Sequence, residues 1–99
     1  MENESSGDKV IVYAIDLDGT LMDKGQPIQR NINKCNELYE QKDTMVIIHT
    51  SRNETIRQRT EEYLKMNGIH YHLLVMNKLR ADYYIDDRNL TMEKFLNER

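Results

Sequence analysis

The chain has 99 residues, a formal net charge of −3 and 31% charged residues, which fits one domain of an ordinary soluble protein. The mild acidic balance excludes positive charge as the main handle on a partner, so a long nucleic acid would need a local basic patch. No apolar stretch is long enough to span a membrane, the start lacks a signal-peptide core, and the single Cys35 excludes an internal disulfide; a reducing cytoplasmic setting is expected.

In chain order, residues 1–8 are polar, with Ser5, Ser6 and Gly7 together, and read as a frayed tail before a domain spanning 9–99. Val10 to Ile15 is a continuous apolar run rich in β-branched residues, suited to a central parallel strand buried on both faces. It delivers Asp16, Leu17, Asp18, Gly19 and Thr20 to its C-terminal end, where open α/β sheets bind ligands. Residues 19–27, with Gly19, Gly25 and Pro27, form a loop or small hairpin flap. A helix is expected from Pro27 or Ile28, since proline suits a first turn, with Ile28, Ile32, Cys35 and Leu38 on one face.

Met45 to His49 reads as the second strand, ending in the polar turn Thr50–Ser51–Arg52–Asn53. Asn53 or Ser51 is positioned to cap the next helix, and Gly68 suits its C-terminal end. Tyr71 to Met76 is the third strand, followed by a polar connection carrying Lys78 and Arg80; Tyr83 to Ile85 is a short fourth strand running into Asp86 and Asp87. A last helix is expected from about Thr91, with Met92, Phe95 and Leu96 inward. Alternating strands and helices predict an α/β fold with a parallel sheet. Chemistry at Asp16 that uses Asp87 requires the fourth strand beside the first. The expected order is 4-1-2-3, with a topological switch point between strands four and one.

These residues resemble the haloacid dehalogenase-like (HAD) superfamily over residues 10–88. Asp16-Leu-Asp-Gly-Thr-Leu21 after a buried strand is similar to its first motif, and Thr50 after Val46 to His49 to its second. Lys78 stands where the third motif falls, and Asp86–Asp87 after Tyr83-Tyr84-Ile85 where the fourth does. The stretch from Lys78 to Arg88 looks like small HAD phosphatases of capsular polysaccharide synthesis, with Leu79 where a proline usually stands. Thr50-Ser51-Arg52 and Asp86-Asp87-Arg88 are also similar to the phosphatase domain of polynucleotide kinase-phosphatases. The resemblance implies a three-layer Rossmann-like core of about four strands. The short segments after Thr20 and after Ser51 leave no room for a cap domain.

A carboxylate attacking an anionic phosphate faces charge repulsion, which a divalent cation relieves. Asp16, Asp18, Asp86 and Asp87 are hard oxygen donors that suit Mg2+, and no His/Cys cluster points to zinc. The resemblance implies that Asp16 is the nucleophile that becomes an aspartyl-phosphate. It implies that Asp18 is the general acid and base, with a backbone carbonyl toward the metal, and that Asp87 is a direct metal ligand. Asp86 would act through a water or orient the ligands. Thr50, with Ser51 as its competitor, and the backbone amides of Leu17 and Ser51 would hold phosphate oxygens. Lys78, with Arg80 as local rival, would neutralise the phosphate. Arg52 and Arg88 are candidate substrate contacts, with pairing to surface acids the alternative. His49 inside an apolar strand reads as a core residue, Cys35 as core, and His70 and His72 as lacking evident partners.

Three functions compete. The first is a magnesium-dependent phosphatase of a small phosphorylated metabolite, a sugar phosphate or nucleotide. The second acts on the 3′-phosphate of a nucleic-acid end, which an open site would admit. The third is a non-catalytic module that keeps the fold, disfavoured because every acidic position the chemistry needs is present. A homo-oligomer would be one way to cover the open site. No membrane partner is expected.

Overall fold

A computed structural model describes residues 9–83, 85, 87–88 and 90–97. Strand β1 (Ile11–Asp16) enters the sheet first. A hairpin of β2 (Met22–Asp23) and β3 (Gln26–Pro27) follows, then helix α1 (Gln29–Glu40). Strand β4 (Thr44–His49), a 3-10 turn (Glu54–Ile56), helix α2 (Arg57–Met66), strand β5 (Leu73–Val75) and helix α3 (Met92–Asn97) complete the order. No described helix is long and apolar enough to cross a membrane.

The main sheet runs β1-β4-β5, all parallel. β1 pairs with β4 along its whole length, from Ile11 opposite Thr44 to Asp16 opposite His49. The α/β class and the first three strands of the expected order are therefore present. The expected fourth strand, Tyr83 to Ile85, is not seen: Tyr83 and Ile85 are highly exposed and in no strand, while Tyr84 lies outside the described residues, as do the tail 1–8 and Asp86.

One face of the sheet makes the core. Tyr13, Ile15, Val46, Ile48 and Leu74 join Ile32, Cys35 and Leu38 of α1, Leu64 of α2 and Phe95 of α3 in a single buried cluster. Burying each large aliphatic side chain contributes roughly 1.5–3 kcal/mol. Helical spacing of Ile32, Cys35 and Leu38 aims them at this face. The other face of β1 differs from expectation. From Val12 on the strand alternates, with Val12 54% exposed, Tyr13 and Ile15 buried and Ala14 exposed between them, rather than being buried on both sides. Among the described residues β1 is an edge strand, and its even-numbered residues Val12, Ala14 and Asp16 line an open cleft together with Leu90, Thr91 and Met92.

Local chemistry explains the boundaries. Lys24 and Gly25, at φ 51° and 80°, form the two-residue link between Asp23 and Gln26. Both residues of such a turn need positive φ, which glycine adopts without strain. Pro27 ends up in this hairpin and Ile28 at the N-cap, so α1 starts two residues later than the proline suggested. Asn53 Oδ1 accepts from the Thr55 amide at 2.9 Å and starts the turn into α2. Thr91 Oγ1 accepts from the Lys94 amide at 3.2 Å and caps α3. His72 does have partners: its Nδ1 accepts the Val46 amide at 2.9 Å, and its ring stacks on Tyr39 with centroids 4.5 Å apart.

Candidate active site

The strand ends are stitched together by backbone bonds that prolong the ladders. The Thr50 amide donates to the Val75 carbonyl at 3.0 Å, Lys78 to Thr50 at 2.8 Å, and Asn77 to Arg52 at 2.9 Å. Three loops distant in sequence therefore sit as one surface at the carboxyl ends of β1, β4 and β5. Asn77 takes φ 63°, a left-handed conformation that asparagine tolerates better than most residues. Its Oδ1 also accepts the Glu54 amide at 3.1 Å, tying the Lys78 loop to the start of α2.

Asp16 sits at the end of β1 with Lys78 Nζ 3.9 Å from its Oδ1. Asp18 is two residues on and carries three donors. The Thr50 hydroxyl donates to Oδ2 at 3.1 Å, Arg52 Nε to the same oxygen at 3.2 Å, and Arg52 Nη2 to Oδ1 at 2.9 Å. Thr50 is wholly buried, and its oxygen also accepts the Arg52 amide at 3.1 Å. The α1 side chain Asn31 donates to the Thr20 carbonyl at 2.7 Å and fixes the loop after Asp18. Behind Asp16 lies a cleft of about 520 Å³ whose lining includes Ala14, Thr20, His49, Arg88, Thr91 and Phe95.

The structure thus brings Asp16, Asp18, Thr50, Arg52 and Lys78 together, with Arg88 on the cleft wall and Ser51 half-buried in the turn. Two expected roles meet different partners. The Leu17 amide, expected at the phosphate, donates instead to the His49 carbonyl at 3.2 Å, because the β1–β4 ladder continues one residue beyond the strand. The Thr50 hydroxyl turns to Asp18. Asp87 lies exposed in a turn, and no three His, Cys, Asp or Glu side chains come together as a metal cage among the described residues. The carboxylate of Asp16 still suits magnesium: it is a hard oxygen donor, and at 40% exposure it leaves room for the waters that this ion keeps.

His49 is the residue that sequence reasoning misplaced. Val46 and Ile48 face the core, so alternation turns His49 to the other side, level with Asp16. Burial and then the charge of Lys78 push its imidazole below the ordinary value, with Asp16 pulling the other way. The signal was available in the strand alternation and needed only the register to be read. Asn77 left no such signal, since its partners lie 23 and more residues away. Cys35 is buried, and its thiol is pushed up to about 12 by desolvation.

A parallel α/β sheet that gathers two aspartates, a threonine and a lysine at its carboxyl edge defines a class of hydrolase-like α/β domains. Residues 13–92 match the sequence profile of the haloacid dehalogenase-like hydrolases, and the chain belongs to that family. In fold it is similar to a crystal structure of an MCSG target from Vibrio cholerae, with a TM-score of 0.72 and 21% identity over 91% of this chain and 90% of that one. A comparison with curated proteins gave no significant match.

Proposed function

We propose that the chain is a magnesium-dependent phosphomonoester hydrolase that works through an aspartyl-phosphate on Asp16. The observation that carries this reading is the approach of Lys78 Nζ to within 3.9 Å of Asp16 Oδ1 at the open end of the sheet. A cation there offsets the repulsion between the attacking carboxylate and a phosphate. Asp16 attacks phosphorus, Asp18 protonates the leaving oxygen and then takes a proton from the incoming water, and Lys78 holds the phosphate charge. The Ser51 amide is a phosphate donor in this reading, and Arg88 on the cleft wall a substrate contact. Asp16, Asp18 and Asp87 would hold the magnesium ion, with Asp86 outside the described residues; when bound, the ion supplies further positive charge to the site.

The substrate class proposed is a small phosphorylated metabolite, a sugar phosphate or nucleotide, in line with the resemblance to capsular-polysaccharide phosphatases and the net charge of −3. Among the described residues the segment between β1 and α1 holds just the short β2–β3 hairpin, so a second copy of the chain is the proposed cover. The test is a panel of phosphomonoesters, DNA 3′-phosphate ends included, with and without magnesium, using Asp16→Asn as control. Magnesium-dependent release from small esters that vanishes in Asp16→Asn is the expected result. Preference for DNA ends would replace the substrate class, and no release from any substrate would favour a binding module.

A further inference from the structure

Helix α1 turns one asparagine into its buried stripe. Asn31 stands four residues before Cys35 and seven before Leu38, so the three share a face. Asn31 is 3% exposed, and the other two are wholly buried. By burial alone an apolar side chain would suit that position better. What Asn31 meets there is the Thr20 carbonyl, 2.7 Å from its Nδ2. Its Oδ1 is buried and accepts no hydrogen bond from the described residues, and an unmet buried acceptor lowers stability. With half its amide unmatched, Asn31 is a poor brace for the core taken by itself.

The bond lands on the loop that carries Asp18. Leu17 to Met22 turns on Gly19, at φ 89°, and closes on itself. The Leu17 carbonyl gathers the amides of Thr20, Leu21 and Met22 at 3.3, 2.9 and 3.2 Å, and the Gly19 amide donates to the Met22 carbonyl at 2.6 Å. These bonds set the shape of the loop, while its tilt against the sheet depends on what holds it from outside. From the end of β4, Thr50 and Arg52 bond to the Asp18 carboxylate. From the opposite side, α1 grips the Thr20 backbone through Asn31. The grip is firm because the next residue, Ile32, is 1% exposed and packed in the core.

We propose that Asn31 is a positioning residue for the hydrolysis, an inference that rests on the reading of Asp18 as acid and base. Through the Thr20 carbonyl it fixes where the Asp18 carboxylate stands relative to Asp16. Reacting groups misplaced by about 1 Å can lose on the order of a hundredfold in rate. Lys78 and Ser51, which hold the phosphate in the same reading, lie on other loops. Freeing the Asp18 loop therefore costs turnover and spares binding.

The test uses Asn31→Leu, which matches the size without the amide, and Asn31→Ser, which is too short to reach Thr20. Against 4-nitrophenyl phosphate with magnesium, both are expected to lower kcat about tenfold or more while KM stays within about threefold. Hydrogen exchange of the Gly19 and Thr20 amides, followed by NMR without substrate, is expected to quicken about tenfold. A merely structural role would lower the urea midpoint and leave the kcat of the folded protein unchanged. The proposal is overturned if both folded variants keep kcat within about twofold of the parent, if KM rises at constant kcat, or if exchange at Gly19 and Thr20 is unaltered. Activity surviving in Asp16→Asn would overturn the phosphatase reading separately, while the exchange measurement still decides whether Asn31 holds the loop.

Discussion

Thr50 offers the sharpest test of how the strand ends are held. Its side chain is wholly buried, its hydroxyl donates to Asp18 Oδ2 at 3.1 Å, and its oxygen accepts the Arg52 amide at 3.1 Å. Thr50→Val keeps the shape and removes both bonds. A hydrogen bond to a charged partner is worth roughly 1.5–3 kcal/mol, but the solvent exposure of Asp18 brings it toward about 1 kcal/mol. The orphaned Arg52 amide adds about 1 kcal/mol. The expected loss is about 2 kcal/mol, a large share of the roughly 5–15 kcal/mol typical of a domain. Urea unfolding followed by circular dichroism should show a lower midpoint with an unchanged slope. Thr50→Ser keeps the hydroxyl and loses one buried methyl, at about 1 kcal/mol. Should Thr50→Val unfold within about 0.3 kcal/mol of the parent, or Thr50→Ser prove the more damaging, the hydroxyl is not what holds these loops together.

Two further predictions concern titratable groups. His49 is pushed below its ordinary value of 6.5 by burial and Lys78, so the unfolded chain binds this proton more readily than the folded one. Stability should fall as the pH drops below 6.5 toward the folded value, and His49→Gln should lessen that fall; equal losses between pH 8 and 5 would refute the assignment. The Cys35 thiol, buried and pushed up to about 12, should react with a disulfide reagent at neutral pH only as fast as the protein opens. Rapid labelling of the native chain would contradict the burial.

Much of this architecture was legible because it depends on local pattern. The β-branched run before Asp16, the helical spacing of Ile28, Ile32, Cys35 and Leu38, and the hairpin loop around Gly25 each report the conformation of a short stretch. The motif residues Asp16, Thr50 and Lys78 could be picked out for a related reason. Each stands at or just after the end of an apolar strand, and parallel strands bring such ends to one edge.

Partnerships were not legible. Arg52 looked as much a substrate contact as a surface ion-pair former, and only the fold shows that it clasps Asp18, 34 residues away. His49 read as core because its neighbours are apolar; pairing with Asp16 across β1–β4 turned it to the cleft. The run Val10 to Ile15 suggested burial on both faces, yet Val12 is 54% exposed. Apolar composition states what a strand can bury, and its neighbours decide what it does bury.

By itself, then, the amino-acid order determined the succession of the first three sheet strands and the helices, though not the absence of strand structure at Tyr83 and Ile85, and the placing of Asp16, Asp18, Thr50 and Lys78 at or just beyond strand ends. The tertiary structure alone decided the pairings: Lys78 on Asp16, Arg52 and Thr50 on Asp18, the Leu17 amide on His49. The division has a physical cause. Backbone conformation and burial periodicity arise from neighbours a few residues apart, whereas a hydrogen bond or ion pair forms over about 3–4 Å between groups that only the folded chain brings near.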